Sequence, residues 1–268
     1  MSHQMRPRSR NRPASGPSKW LAVTEIPRAI AEAGLFTAWL PTMLAFAARG
    51  DGHPVLVIPG MLANDASTAP LRGALESLGY DARGWGLGRN YGTRVAGADG
   101  EHLLGLIAKI HRETGKRVSL VGWSLGGILA RLAAHRAPNR IRQVITLGSP
   151  FAARANKSPA SRVYETVSGT RLGDPAPRAL MAELRKPLRT PFTAIYSKAD
   201  GVCAWQGCIA RESSKSANIE VLGSHCGMGT NSMVFHVLAD RLAQAEGAWT
   251  PFRAAGALTW IFPSQRAV

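Results

Sequence analysis

The chain has 268 residues, of which 45% are hydrophobic, and this apolar content argues against wholesale disorder. Three cysteines are too few for a disulfide scaffold. An excess of Lys and Arg over Asp and Glu gives a formal net charge of +16, which raises nucleic acid, anionic membranes and acidic substrates as partners. Composition alone does not choose among these three classes.

Residues 1–19 are predicted to form a disordered basic arm. The stretch contains five basic residues and no acid, and its prolines and glycine oppose a helix. It has no interleaved aromatic residues and no Cys/His finger, so we expect no specific nucleic-acid partner. We interpret it as a solubilising tail or a tail that binds anionic surfaces loosely.

Residues 20–50 are predicted to form an apolar or amphipathic helical segment. Its longest uncharged run is short for a membrane span, and Pro41 is expected to interrupt it. The residues Ala45-Phe46-Ala47 faintly resemble a signal-peptidase site, but Glu25 and Glu32 precede them, which disfavours a secretory leader. The segment covers the core or lies on a membrane surface. We therefore expect a cytoplasmic protein. If the segment lies on a membrane surface, the protein is peripheral to that membrane.

From residue 51 onward, short apolar runs alternate with amphipathic segments. Six runs are typical of buried strands, at 55–58, 80–85, 118–121, 144–147, 192–197 and 219–222. Four segments have helical spacing, at 69–78, 101–114, 125–134 and 231–244. The alternation predicts an α/β fold over residues 51–268, with a mainly parallel, doubly wound sheet and helices on both faces. Residues 151–190 break the pattern and are expected to form a small cap or mobile loop.

The sharpest chemical signal is the sequence Gly122-Trp123-Ser124-Leu125-Gly126-Gly127, which follows a predicted strand and opens a predicted helix. It has the G-x-S-x-G form of a nucleophile elbow, in which a serine hydroxyl projects above the sheet from a tight turn. The glycines remove side chains that would collide in that turn. We therefore predict that Ser124 is a nucleophile, and the alternative is an incidental glycine-rich turn.

A serine hydroxyl is a poor nucleophile and needs a base. His225 follows the last predicted strand, at the sheet edge where a base would reach Ser124, whereas His236 lies inside the last helix. Asp200 follows the preceding strand, where an acid that orients the base is expected, although it also suits a turn before Gly201. We predict His225 as the base and Asp200 as its acidic partner.

Two backbone N–H groups are predicted to form an oxyanion hole, those of Leu125, directly after the nucleophile, and of Met61, in the loop after the first strand. That loop also fits an ordinary strand-ending turn. Trp123, Trp85 and Trp205 are candidates for the lining of an apolar acyl pocket, with core packing as the alternative for the last two. We expect no cofactor and no metal, because the cysteines lack paired C-x-x-C spacing.

The chain resembles the α/β-hydrolase superfamily, and in particular bacterial lipases and esterases. The resemblance runs collinearly over residues 53–245 and is carried by the segments VLVIPGMLAN, GYDARGWGLGRNYG, VSLVGWSLGGILAR, VITLGSPF, TAIYSKADGVCAWQGC and IEVLGSHCGMG. It implies a Ser124–Asp200–His225 triad and hydrolysis of small-molecule or lipid carboxylic esters. One departure, Pro59-Gly60 where many lipases have His-Gly, bears on acyl-chain preference.

The sequence is also compatible with two alternatives to an esterase. A thioesterase or an acyltransferase would use the same triad with another leaving group or acceptor. A protein of a different class would bind membranes or anionic surfaces on a hydrolase scaffold. The sequence leaves the natural substrate and the oligomeric state open.

Overall fold

Six parallel strands form one sheet in the order β2-β1-β3-β4-β5-β6. The computed structural model describes residues 16–153, 164–166, 169 and 171–263, so most of the predicted basic arm lies outside it. The strands are β1 (Pro54–Ile58), β2 (Asp81–Gly84), β3 (Val118–Trp123), β4 (Ile141–Leu147), β5 (Phe192–Tyr196) and β6 (Ser216–Glu220). The predicted parallel α/β architecture is confirmed.

Eight α-helices lie wholly within the described part of the chain. They are α1 (Lys19–Val23), α2 (Glu25–Phe46), α3 (Asp65–Ser77), α4 (Thr93–Ala96), α5 (Glu101–Thr114), α6 (Leu125–Arg136), α7 (Pro175–Leu184) and α8 (Ser232–Ala243). Short 3₁₀ turns lie at Pro138–Arg140, Trp205–Gly207, Met228–Thr230 and Gly256–Trp260.

The sheet is covered on both faces, which explains the continuous apolar runs of its strands. Successive side chains of a strand point to opposite faces. In β1, Val55 and Val57 join a core with residues of α2, α3 and α8. Leu56 and Ile58 join a second core with residues of α5 and α6. Neither face of β1 meets water, so no polar residue is needed along it.

The strand order reverses at β1, because β2 lies on one side of it and β3 on the other. In open α/β sheets, the crevice beyond the carboxyl ends of the strands at such a reversal is where ligands bind. The loop after β1 contains Met61, and the turn after β3 contains Ser124. The topology therefore brings two of the predicted functional segments to the same crevice.

Helix α2 lies within the predicted helical segment 20–50 and is not interrupted. It continues through Pro41 to Phe46, so the expected interruption at Pro41 is wrong. Proline removes one N–H and crowds the carbonyl of Thr37, but both residues are exposed, and water can take the bond that the helix loses. Within the described residues, α2 is the one helix that is long and apolar enough to cross a membrane, by length and composition only.

Part of the segment 151–190 is an ordinary crossover between β4 and β5. Helix α7 lies on α6, where the guanidinium of Arg131 donates to the carbonyls of Leu184 (2.7 and 3.0 Å) and Lys186 (2.9 Å). Residues 154–163, 167, 168 and 170 are outside the described part of the chain. A cap formed by those residues stays a prediction.

Candidate active site

Ser124 lies in the sharp turn between β3 and α6. Its φ of 54° and ψ of −119° form a conformation that L-residues rarely adopt, and its N–H donates to the Leu147 carbonyl at 2.8 Å. The turn also needs glycine beside it, because a methyl group on Gly126 would lie 2.3 Å from the carbonyl oxygen of Ile58. A strained serine between a buried strand and a helix is the geometry of a nucleophile elbow.

The structure brings Ser124, His225 and Asp200 into one hydrogen-bonded line. Ser124 Oγ lies 3.0 Å from His225 Nε2, and His225 Nδ1 lies 2.6 Å from Asp200 Oδ2. The histidine and the aspartate are only 5% and 3% exposed. They follow β6 and β5, so three positions that are distant in sequence meet at the carboxyl edge of the sheet.

The loop of Asp200 holds its carboxylate in one orientation. Oδ1 accepts hydrogen bonds from the N–H groups of Val202 (2.8 Å) and Cys203 (2.6 Å), which leaves Oδ2 facing the imidazole of His225. Because a carboxylate only accepts hydrogen bonds, the proton on a neutral His225 is assigned to Nδ1. Nε2 is then the acceptor that faces the Ser124 hydroxyl, as a general base requires.

Burial and charge act in opposite directions on His225. Burial disfavours the imidazolium, but the charge of the Asp200 carboxylate and the hydrogen bonds of the ring with Cys203 and Asp200 outweigh it and raise the pKa of His225 well above its usual 6.5. Burial raises the pKa of the Cys203 thiol to about 11, so this sulfur is neutral near pH 7. Asp200 therefore carries the negative charge that stabilises an imidazolium at this position.

The predicted oxyanion donors lie in segments that flank Ser124. Leu125 is the first residue of α6, and the first N–H groups of a helix have no acceptor within it. Met61 follows Gly60, where an added methyl group would lie 3.5 Å from Ser124 Cβ. The proximity of Gly60 to Ser124 supports Met61, and the position at the start of α6 supports Leu125. Both assignments stay predictions.

The loop that contains Met61 is fastened by Asn90, a residue to which sequence analysis gave no role. Asn90 is fully buried, and its side-chain amide donates to the Pro59 carbonyl at 2.7 Å. Its backbone carbonyl accepts from Leu62 (2.9 Å), and its N–H donates to Ala63 (2.8 Å). The only sequence signal for this role was the position of Asn90 in a glycine-rich loop, and that signal does not identify which residue fixes the neighbouring loop.

The three candidate lining tryptophans have different surroundings. The Trp123 indole N–H donates to the His225 carbonyl at 3.1 Å, so this side chain braces the histidine loop. Trp85 is fully buried in the core between the sheet and α5, and offers no surface to a substrate. Trp205 stacks on Tyr196 with ring centroids 5.7 Å apart. A lining role for Trp85 is therefore not compatible with its burial, whereas Trp123 and Trp205 are only partly buried.

Sequence analysis missed one charged residue that contacts both loops of the site. Glu25, at the start of α2, accepts hydrogen bonds from the N–H groups of Gly201 (2.7 Å), His225 (3.1 Å) and Cys226 (2.9 Å). It is 4% exposed. The nearest of these donors in sequence is 176 residues away, and no local pattern signals such a contact.

A second Asp–His–Ser arrangement lies at the opposite edge of the sheet. Asp51 Oδ1 is 2.5 Å from His53 Nδ1, and His53 Nε2 is 2.8 Å from Ser119 Oγ. Both His53 and Ser119 are completely buried, and Ser119 lies within β3 and not in a turn. Burial lowers the pKa of His53, although Asp51 opposes the shift. The connectivity matches that of Ser124, but no substrate reaches this serine.

One group of potential metal ligands occurs within the described residues, formed by Asp200, Cys203 and His225, with donor atoms within 4.8 Å of one another. Two of its members already share the 2.6 Å hydrogen bond between Nδ1 and Oδ2, which a metal would have to break. All three cysteines of the chain are free thiols. The donor set fits proton transfer better than metal binding.

Comparison with known proteins agrees with this fold. The sequence profile of the alpha/beta hydrolase fold family matches residues 54–193, just over half of the chain. The chain belongs to this family. Among solved structures, this α/β hydrolase resembles Aspergillus fumigatus lipase B, with a TM-score of 0.61 and 16% sequence identity over 76% of this chain and 56% of the lipase. It also resembles the mature form of Bacillus licheniformis lipase BlEst2, with a TM-score of 0.52 and 18% identity over 73% of this chain and 92% of the lipase. At these identities the likeness concerns the fold.

Curated relatives match this α/β hydrolase over part of its length. It is 30% identical over 114 residues to the pimeloyl-[acyl-carrier protein] methyl ester esterase of Aliivibrio salmonicida, a match that covers 41% of each protein. It is 32% identical over 111 residues to the serine hydrolase BPHL of Mus musculus, a match that covers 37% of each. The chain thus matches less than half the length of these relatives.

Proposed function

We propose that this α/β hydrolase cleaves carboxylic esters through an acyl-enzyme, with Ser124 as nucleophile, His225 as base and Asp200 as the group that orients the base. The observation that carries the proposal is the continuous line from Ser124 Oγ to His225 (3.0 Å) and on to Asp200 (2.6 Å), at a serine held in a strained turn. The names of the two curated relatives, an esterase and a serine hydrolase, support the same reaction class.

In the acylation step, Ser124 Oγ attacks the ester carbonyl carbon while its proton passes to His225 Nε2. The N–H groups of Met61 and Leu125 stabilise the oxyanion of the tetrahedral intermediate. Collapse of the intermediate breaks the bond to the alcohol oxygen, and the alcohol leaves with the proton from Nε2. The acyl group is then bonded to Ser124.

In the deacylation step, water takes the place of the alcohol. His225 Nε2 accepts one proton of the water as its oxygen attacks the acyl carbon, and the same N–H groups hold the second oxyanion. Collapse breaks the bond to Ser124 Oγ, which recovers the proton from His225. The carboxylic acid leaves, and the free enzyme is restored without any cofactor.

A thioesterase and an acyltransferase would differ from this esterase only in the leaving group or in the acceptor of the acyl group. A thioester would enter the same acyl-enzyme with a thiol as the leaving group, and an acyltransferase would use an alcohol or amine where the hydrolase uses water. The relative from Aliivibrio salmonicida is named as a methyl ester esterase, and lipases share the fold, so small-molecule and lipid esters are the substrate classes to test first.

The test is hydrolysis of p-nitrophenyl esters over a series of acyl lengths, with a thioester and an alcohol acceptor assayed in parallel. We expect turnover that Ser124→Ala reduces by several orders of magnitude. The matched control is Ser119→Ala, which removes the serine of the other Asp–His–Ser arrangement and should retain turnover. A chain that is inactive on every acyl donor, or equal turnover by wild type and Ser124→Ala, would refute the proposal.

A contact with an anionic membrane is proposed as a second property, and the outer side of α2 supports it. All exposed residues between Ile26 and Phe46 are uncharged, whereas the charged residues of the helix, Glu25, Arg28 and Glu32, face the protein. Surface helices ordinarily show the reverse arrangement. The whole helix is about 33 Å long at 1.5 Å per residue.

Charge at the ends of this outer side favours an anionic bilayer as its partner. Large apolar side chains such as Ile30 (68% exposed) and Trp39 (57% exposed) would enter the interface, while the exposed residues Lys19 and Arg49 flank the helix. The net charge of +16 adds attraction to anionic lipid. A helix that crossed the bilayer would have to detach from the domain, so we propose that α2 lies on the surface.

Sedimentation with vesicles tests the contact. We expect binding to phosphatidylcholine vesicles that contain phosphatidylglycerol, weakened at high salt and by Ile30→Glu. The matched control is Lys109→Gln, which lowers the net charge by the same single unit on α5, on the other side of the sheet. Equal binding by wild type and Ile30→Glu would refute the contact, as would self-association of the chain through this side in light scattering.

A further inference from the structure

We propose that Glu25 is a positioning residue for His225, and that through it the N-terminal helix α2 fixes the geometry of the candidate triad. The proposal rests on the proposed function and extends it to a residue outside the region that the family profile matches, residues 54–193. Its basis is that one carboxylate contacts the loop of the acid and the loop of the base at the same time.

The carboxylate oxygens of Glu25 accept hydrogen bonds from both loops. Oε1 accepts from the N–H of Gly201, the residue after Asp200, and from the N–H of His225 itself. Oε2 accepts from the N–H of Cys226. The carboxylate therefore links the backbone beside the acid to the backbone of the base, and sets their separation independently of the 2.6 Å contact between their side chains.

The charge of Glu25 is retained at this buried position. Burial alone would raise its pKa, but the backbone N–H groups of Cys226, Gly201 and His225, together with Arg28, outweigh burial and lower it. Arg28 also donates to the Ala199 carbonyl at 2.8 Å, on the acid's side of the site. An ionised carboxylate makes stronger hydrogen bonds to N–H donors than a neutral group does, so the link between the loops is firm.

A second glutamate of α2 reinforces the histidine loop. Glu32 lies seven residues after Glu25, on the same side of the helix. Its carboxylate accepts from the N–H of Ser224 at 2.7 Å and from the side-chain amide of Asn231 at 3.2 Å. Three consecutive N–H groups, those of residues 224, 225 and 226, thus donate to carboxylates of one helix.

The loops are built for the close approach of this part of the chain. A methyl group on Gly201 would lie 2.3 Å from the carbonyl oxygen of Leu21, and one on Gly227 would lie 2.2 Å from Glu32 Oε2. No side chain fits at either position. Glycine at both positions therefore allows α1 and α2 to pack directly against the two loops.

Displacement of the histidine loop would act on the chemical step more than on substrate binding. Proton transfer requires Nε2 to stay within hydrogen-bond reach of Ser124 Oγ while Nδ1 keeps its contact with Asp200. A misplacement of about 1 Å costs up to about 100-fold in rate. The hydrogen bonds that Glu25 accepts from Gly201, His225 and Cys226 hold the backbone of these loops, so its loss should lower kcat and leave KM nearly unchanged.

Two substitutions at Glu25 separate position from charge. Glu25→Gln keeps the shape but places an amide N–H₂ against one of the N–H donors, and Glu25→Asp keeps the charge but is one methylene too short to reach all three. We expect kcat on p-nitrophenyl esters to fall by about 10- to 100-fold in both variants, with KM within about twofold. If Glu25→Asp has the kcat of the wild type, then the charge of Glu25 matters and its reach to all three N–H groups does not. That result would overturn the proposal.

A stability control uses another buried residue of α2. Phe36 packs edge-on against Phe235 (centroids 5.7 Å apart) and is part of the core on this side of the sheet. Phe36→Leu should lower the melting temperature and leave kcat unchanged. If Phe36→Leu lowers kcat as much as a Glu25 variant of equal melting temperature, the effect is general destabilisation and the positioning role is refuted.

A readout without substrate keeps this proposal distinct from the proposed function. NMR of ¹⁵N-histidine-labelled protein follows the proton on His225 Nδ1, assigned by its loss in His225→Gln. We expect a downfield signal in the wild type that weakens or moves upfield in both Glu25 variants, because the bond to Asp200 lengthens. An unchanged signal in both variants would overturn the positioning role, and a wild type without ester turnover would overturn the proposed function alone.

Discussion

The substitution Asp200→Asn tests the candidate triad most sharply, because the structure dictates how the new amide must be oriented. The N–H groups of Val202 and Cys203 both point at Oδ1, at 2.8 and 2.6 Å, so the amide oxygen has to occupy that position. The amide N–H₂ then faces His225 Nδ1, which must become an acceptor. The imidazole proton moves to Nε2, and the base can no longer take the proton of Ser124.

The size of the effect follows from this change of tautomer. An enforced wrong tautomer lowers kcat by about 10⁴-fold in serine proteases, which corresponds to about 5 kcal/mol of transition-state stabilisation. The fold should persist, because the amide oxygen keeps both hydrogen bonds of Oδ1. We expect kcat to fall by about this factor on p-nitrophenyl esters, with a melting temperature close to that of the wild type.

The pH dependence gives a second readout of the same substitution. Burial lowers the pKa of His225, and its charged surroundings, Asp200 among them, raise it above 6.5 in the wild type. The base must be neutral, so kcat/KM should be lost as the pH falls through a midpoint above 6.5. In Asp200→Asn the burial remains and the carboxylate charge is gone, so the residual activity should be lost at a lower pH than in the wild type.

The matched control for this experiment is Asp51→Asn. Asp51 makes the equivalent contact to His53 in the buried arrangement at the other edge of the sheet, and it also pairs with Arg142 at 2.6 Å. This variant should lose stability and keep its kcat. Near-normal turnover by Asp200→Asn, or an equal loss by Asp51→Asn, would refute the reasoning.

Three further substitutions test other parts of the structure. Gly148→Ala places a methyl group 3.1 Å from His225 Nδ1, at a φ of 54°, and should lower kcat by about tenfold in ester assays. Asn90→Ala releases the loop of Met61 and should lower kcat by a similar factor without changing KM. Arg131→Met leaves the carbonyls bound by Arg131 unpaired and should lower the free energy of unfolding by about 2–5 kcal/mol in urea titrations, with unchanged kinetics.

The interior of the sheet was predictable because burial on both faces leaves a plain sequence signal. The boundaries were harder wherever polar residues are buried by specific partners. Strand β4 begins at Ile141, three residues before the predicted start, because Arg142 pairs with Asp51 and Gln143 donates to the Arg241 carbonyl. Helix α3 begins at Asp65 and not at residue 69, because the side chain of Asn64 caps a polar first turn.

The candidate triad was predictable for a related reason. Its residues follow strands, and in a parallel sheet the carboxyl ends of the strands share one edge. Residues that act through long-range backbone contacts have no such signal. Glu25 had only its place in an apolar helix, where it argued against a secretory leader, and Asn90 had only its glycine-rich surroundings. The arrangement around His53 has the same order of hydrogen bonds as the candidate triad. It is not a site, because His53 and Ser119 are buried and no substrate reaches them.

Helix α2 joins the two proposed properties in one element. Its charged residues face the loops of Asp200 and His225, and its uncharged side faces outward, so the polarity of the helix is reversed relative to an ordinary surface helix. A rotation that buried the apolar side would withdraw Glu25 and Glu32 from four backbone N–H groups in the two loops. Those hydrogen bonds therefore hold the apolar side toward solvent. The orientation that positions the histidine is the same orientation that leaves α2 free to lie on a bilayer.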